Sequence, residues 1–226
     1  MRFINKSIRY LFLASALIAS ALPGQAQTAT PEAEALLARA LALKPNLERG
    51  EAEFAELSCA RCHRKNAAGR AASDTPRLSG QHAAVIMKQV LDIRSGLRAN
   101  PPMQPMVTAE RLSLQSLADI AAHLQALPMK SANAMGPGSG VARGKELFGK
   151  DCASCHGTAG EGNAAIFAPM VAAQHYSYLL RELEFIRDGQ RGNSNPAMAS
   201  LVKTYGQEDL QAVADYMAQM PAPAQQ

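Results

Sequence analysis

All four cysteines of the 226-residue chain lie in two short runs, Cys59-Ala60-Arg61-Cys62-His63 and Cys152-Ala153-Ser154-Cys155-His156. Two thiols three residues apart share one face of a helical turn, and the histidine that follows brings an imidazole to the same side. This is the spacing of covalent haem attachment: the sulfurs reach the two vinyl groups and the imidazole takes one axial position on the iron. A four-thiolate zinc site, two redox-active dithiols or the disulfides of an exported protein compete with it. None of them needs a histidine directly after each pair, and the dithiol reading lacks its βαβ surroundings. The expectation is two covalently attached haem c groups, one held by Cys59, Cys62 and His63, the other by Cys152, Cys155 and His156.

A six-coordinate iron needs a second axial ligand, and a methionine thioether raises its potential. In the second half the candidate is Met198, within Asn195-Pro196-Ala197-Met198 and expected on a loop before the last helix. The first half offers Asn100-Pro101-Pro102-Met103, with Met106 three residues on as the competing choice. Met170, Met217 and Met220 read as packing residues, a common use of methionine. His82, His123 and His175 are other possible ligands. His82 and His175 begin helices, where surface positions are expected.

The elements that must position these groups repeat at an offset of 93 residues. Pro76 recurs as Pro169, Gln81-His82 as Gln174-His175, Ile93-Arg94 as Ile186-Arg187, Gly96 as Gly189 and Leu117 as Leu210. Each copy reads as helical. Leu117, Ile120, Ala121 and Leu124 fall at i, i+3, i+4 and i+7, as do Leu210, Val213, Ala214 and Met217. A middle helix spans about Gln81 to Ser95 and Gln174 to Asp188, with Gly96 and Gly189 where a left-handed cap is wanted. Strand-like alternation is absent, so the class is all-α, two tandem domains each wrapped around a haem. A further helix over Pro31 to Leu43, with Thr30 as cap, presents Leu36, Leu37, Ala40 and Leu41 for packing.

Met1 to Arg9 carries Arg2, Lys6 and Arg9, and an apolar run from Tyr10 to Leu22 precedes Gly24-Gln25-Ala26. This has the pattern of an export signal cut after Ala26, too short to span a bilayer. The division is then a leader over 1–26, a helical extension over 27–46, a first domain over 47–128, a connector over 129–140 and a second domain over 141–226. Stable membrane insertion after cleavage is not expected. The chain has 23 Lys+Arg against 19 Asp+Glu and no Trp. Three of those cations belong to the leader, which removes the case for nucleic-acid binding. The N-terminal half keeps a basic excess, with Arg61, Arg64, Lys65, Arg70 and Arg77 near the first haem motif. Such a patch steers an acidic partner.

Together, the two Cys-x-x-Cys-His runs, Pro76-Arg77-Leu78-Ser79-Gly80-Gln81-His82, Met103-Gln104-Pro105-Met106 and Asp119-Ile120-Ala121-Ala122 resemble the cytochrome c4 family, over about Leu47 to Met220. These are di-haem periplasmic members of the class I cytochromes c. The resemblance implies His/Met ligation of both irons and delivery of single electrons between redox proteins, for example to a terminal oxidase. It also implies that Pro76 and Pro169 offer carbonyls to the rings of His63 and His156. Arg64 departs from the family's usual glycine, which Gly157 keeps, and Thr28 to Pro45 has no counterpart in a minimal member. A fixed subunit of a dehydrogenase or oxidase complex, docked through the N-terminal helix, and a di-haem oxidoreductase are the alternatives. The last would need an open iron or a spare cysteine, and there is no cysteine outside the two pairs.

Overall fold

The computed structural model describes residues 30–129 and 132–223. The leader and its cleavage point lie outside the described residues. Helix α1 (Pro31–Leu41) starts as its sequence dictates: the Thr30 hydroxyl accepts from the Ala33 amide at 3.2 Å, and Glu32 and Glu34 occupy the first turn. Ala33 and Ala40 are buried, and Leu36 and Leu37 pack on the first core. Leu41 instead faces solvent, 41% exposed, so the packing stripe is shorter than expected.

The first copy continues with α2 (Leu47–Glu56), α3 (Ala60–His63), α4 (Ala83–Arg94) and α5 (Leu114–Ala126). In the second copy α6 (Val141–Leu147) runs through a π-helical turn at Phe148–Cys152 into α7 (Ala153–His156); α8 (Tyr176–Arg187), α9 (Pro196–Val202) and α10 (Gln207–Gln219) follow. Helices α3, α4 and α5 map onto α7, α8 and α10 at the 93-residue offset with no slip at either end. So do the isolated antiparallel bridges Arg70–Thr75 and Asn163–Ala168. Both middle helices stop at a left-handed glycine, Gly96 (φ +81°) and Gly189 (φ +73°). All eight residues of the two terminal stripes are buried, each large one contributing roughly 1.5–3 kcal/mol.

Each copy is organised by one close crossing. Helix α2 lies on α5 at Gly50, where a Cβ would stand 2.1 Å from the Asp119 carbonyl oxygen. Helix α6 lies on α10 at Gly144, where it would stand 2.0 Å from that of Ala212. Positions 119 and 212 are again 93 apart. Only glycine lets the backbones approach so near. An aromatic residue beyond the crossing, Phe54 on α2 or Phe148 at the start of the π-helical turn after α6, then fills the core.

The two copies clasp one another about a pseudo-twofold axis. The Gln81 amide donates to the Met170 carbonyl (3.0 Å) and accepts from the Met170 N–H (2.9 Å). Gln174 does the same with Arg77, at 3.0 and 2.8 Å. The ring Nε2 of His82 pairs with the Glu161 carbonyl and that of His175 with the Ala68 carbonyl, both at 2.8 Å. These histidines are therefore interface groups, His175 fully buried, and not the surface positions expected from their place at helix starts.

Glycine at the second crossing is strictly required. Gly144→Val should lower the stability of the holoprotein by about 3 kcal/mol or more in guanidinium unfolding, because no side chain can give way against a carbonyl. Gly149→Ala, where a Cβ meets nothing within 4 Å, should change it little.

Candidate metal centres

In each motif the histidine closes one helical turn on the first cysteine; in the first copy the His63 amide donates to the Cys59 carbonyl at 3.1 Å. None of the four cysteines is in a disulfide; Cys59 and Cys152 are half-buried, Cys62 and Cys155 exposed. Burial pushes the Cys59 thiol up and takes Cys152 to about 11, the neighbouring Asp151 adding to the latter. These are not the activated thiolates of a dithiol oxidoreductase. Nor, among the described residues, do three or more His, Cys, Asp or Glu side chains gather as a zinc site would require.

Both imidazoles are buried and fixed. Nδ1 of His63 meets the Pro76 carbonyl at 3.1 Å and that of His156 the Pro169 carbonyl at 2.9 Å. A carbonyl can only accept, so Nδ1 carries the proton and the Nε2 lone pair is left for a metal. Burial lowers both pKa values, against the opposing pull of the carbonyl bond, and so favours the neutral, ligating form. Two sulfurs on one turn beside an imidazole with a committed outer nitrogen fit a c-type haem.

The methionines sit on the segments before α5 and α10. Met198 is in the first turn of α9, not on a loop, and the Asn195 side chain caps that turn, accepting from the amides of Ala197 (2.9 Å) and Met198 (3.4 Å). In the first copy the Asn100 side chain accepts from the Met103 amide at 3.2 Å, ahead of a 3-10 turn over Gln104–Met106. The shared Asn-Pro-x-Met pattern is thus a capping device, visible in the sequence once its two occurrences are laid side by side. Two further ties differ between the copies. Arg94 donates to the carbonyls of Val107 and Leu112, both at 2.6 Å, bracing the segment after Met106. In the second copy Tyr205 donates to Asp151, next to Cys152, at 2.7 Å.

Arg64 takes a left-handed conformation (φ +66°), as Gly157 does (φ +77°). A Cβ on Gly157 would lie 2.1 Å from the Glu161 carboxyl carbon, whereas the position equivalent to Glu161 is Ala68. The first copy tolerates Arg64 because its neighbour is small. Arg61, Arg64, Lys65 and Arg70 are exposed around Cys62, but Arg77, expected among them, is buried between the copies.

Fold and site together define a c-type cytochrome with two haem domains in tandem. Residues 47–128 match the cytochrome c family model, and residues 139–217 match that described as cytochrome C oxidase, cbb3-type, subunit III. The thiosulfate dehydrogenase electron acceptor of Stutzerimonas stutzeri is 38% identical over 180 residues, 75% of this chain and 82% of that one. Cytochrome c4 of Pseudomonas aeruginosa is 33% identical over 170 residues, 70% and 82% of the two chains. The crystal structure of reduced cytochrome c4 from Pseudomonas stutzeri superposes with a TM-score of 0.69 at 25% identity, covering 79% of this chain and all of that one. The chain belongs to the cytochrome c4 family, and it carries electrons.

Replacing one cysteine of a pair removes one thioether. Cys59→Ser and Cys152→Ser should each leave a haem with an unsaturated vinyl, read as a red-shifted shoulder in the pyridine haemochrome spectrum and a lower yield of mature protein. A spectrum like the wild type's in both would mean that these sulfurs do not anchor the group.

Proposed function

We propose that the chain is an exported, periplasmic carrier that takes single electrons from a dehydrogenase and passes them to a respiratory acceptor such as a terminal oxidase. His63 with Met103 and His156 with Met198 would hold the two irons. One observation carries this reading: each copy combines a buried imidazole held by a carbonyl with a methionine held by an asparagine cap. An iron so held would have no open position for a substrate and would supply one-electron redox chemistry. The Asn100 cap favours Met103 over Met106, which has no such partner in the repeat. A dehydrogenase as donor is supported by the relative described as a thiosulfate dehydrogenase electron acceptor. The leader's pattern supports export, and among the described residues no helix is long and apolar enough to cross a membrane. Helix α1 is packed on one side onto α4 and α5 and keeps Glu34, Ala38 and Leu41 exposed on the other.

Met198→Ala should abolish the thioether-to-ferric-iron absorption of one haem and lower its potential, by on the order of 0.1 V. Met103→Ala should do the same at the other, and Met106→Ala should not. If only Met106→Ala alters the first iron, the assignment there passes to Met106.

The exposed cations around Cys62 support a docking face for an anionic partner at the first haem edge. Increasing ionic strength should slow the bimolecular electron transfer measured by stopped flow. Reversing Arg64 and Lys65 to Glu should slow it by about tenfold at low salt with both haem spectra unchanged, while Lys203→Glu should matter far less. A rate indifferent to salt and to the reversal would leave the cluster an ordinary solvated face.

A further inference from the structure

Beside the glutamine and histidine exchange lies a second junction between the copies, made wholly of side chains. The guanidinium of Arg98 spans Gln89 Oε1 (3.0 Å) and Glu182 Oε2 (2.9 Å). That of Arg191 spans the same two atoms, at 3.0 and 2.8 Å. Arg98 and Arg191 are 93 residues apart, and so are Gln89 and Glu182. Each arginine therefore bonds one acceptor in its own copy and one in the other, closing a four-membered ring on the pseudo-twofold axis. The repeat is broken at one point: the first copy contributes an amide and the second a carboxylate.

The ring is well supported. Tyr178 accepts a further bond from Arg98 (3.1 Å), Arg181 donates to Glu182 Oε1 (2.7 Å), and Asn193 bridges Gln89 Oε1 (3.0 Å) and Asp92 Oδ2 (2.7 Å). Its charged members are nearly removed from water, with 9% exposure at the Arg98 side chain, 10% at Glu182 and 15% at Arg191. Two guanidinium groups so placed repel one another and are expensive to desolvate; one carboxylate shared between them relieves both costs. Arg98 and Arg191 also precede the segments that lead to Met103 and Met198, by five residues in the first copy and seven in the second, while Gln89 and Glu182 lie on the middle helices α4 and α8. A shift at the ring therefore moves whole haem domains relative to each other.

We propose that the Arg98–Gln89–Glu182–Arg191 ring is the electrostatic clasp that fixes the relative position of the two haem domains, making Glu182 a positioning residue for electron exchange between the haems. The proposal rests on the assignment of two haem domains and not on the choice of axial methionines. Because each arginine touches both acceptors, the carboxylate can sit at either position. Moving it from 182 to 89 conserves the ring, and deleting it does not.

The test uses holoprotein with both haem spectra as in the wild type. Glu182→Gln should speed hydrogen exchange in peptides containing the Arg77 and Met170 amides, which are bonded across the interface, by about a hundredfold. Electron equilibration between the haems after photoreduction should slow in the same variant. The double variant Glu182→Gln/Gln89→Glu should restore both towards wild-type values, a coupling that a cycle of single and double variants isolates. If Glu182→Gln does not mature, Arg98→Gln, which removes one fork and leaves Glu182 paired to Arg191, serves the same comparison. Unchanged exchange in the charge-deleted variant would overturn the clasp, as would a double variant as loose as the single one. Faster exchange with an unaltered rate of equilibration between haems would overturn the positioning role.

Discussion

The bond from the imidazole of each Cys-x-x-Cys-His run to a proline carbonyl thirteen residues later is the interaction on which the rest of the molecule depends. It fixes which nitrogen is free for iron and the plane in which the ring lies. The chain between the two residues is shaped to deliver it. Gly69 donates to the His63 carbonyl at 3.0 Å and turns left-handed, where a Cβ would stand 2.5 Å from the carbonyl carbon of Pro76. The Arg70–Thr75 bridge then closes the loop, and Gly162 and the Asn163–Ala168 bridge repeat the construction. The same loop takes part in the interface. Ala68 accepts from His175, and Arg77, next to Pro76, is held at both its amide and its carbonyl by Gln174. The hydrogen bonds that orient an imidazole in one copy are therefore continuous with those that seat the other copy.

Much of this was legible in the sequence because it is local or periodic. Cysteine and histidine at fixed spacing, stripes at i, i+3, i+4 and i+7, a threonine before a proline and glycines at helix ends all report on one element at a time. They point to α1, α4, α5, α8 and α10, whereas the Pro76 and Pro169 carbonyls follow from the family resemblance and are found on His63 and His156. What could not be read belongs to the pair of copies. His82 and His175 look like ordinary helix-start residues until the other copy is present, and Arg77 looks like one more cation in a basic run. Met198 is expected on a loop because it falls between the middle and last helices. In the structure Asn195-Pro196 is instead a helix cap and first residue, a context in which asparagine and proline occur together.

The duplication is not a symmetric one. The first copy carries α1, uses Arg94 to brace the segment beyond its methionines and supports that segment with a 3-10 turn. The second has the α9 turn, and Arg187, equivalent to Arg94, is turned outward to Gln207 and Asp188. The segments that carry Met103 and Met198 therefore have different mechanical surroundings. The imidazole side is kept nearly identical. Hydrogen bonding and charge near a haem act on its potential, so on the proposed ligation this asymmetry lies where it would tune the two irons separately.

The chemistry of the interface explains how such divergence was possible without loss of docking. Gln81, Gln174, His82 and His175 bond to backbone amides and carbonyls, not to side chains. The identity of the side chain at the receiving position is then free to change: Arg77 stands opposite Met170 in the repeat and Ala68 opposite Glu161. Substitutions along the two proximal loops could alter the charge at each haem edge while every one of these bonds persisted. The arginine ring is of the opposite kind, since its bonds join side chain to side chain and fail if one member changes alone. Backbone-directed bonds hold the two copies together whatever their edges become, and the ring ties that arrangement to the particular residues this chain now carries.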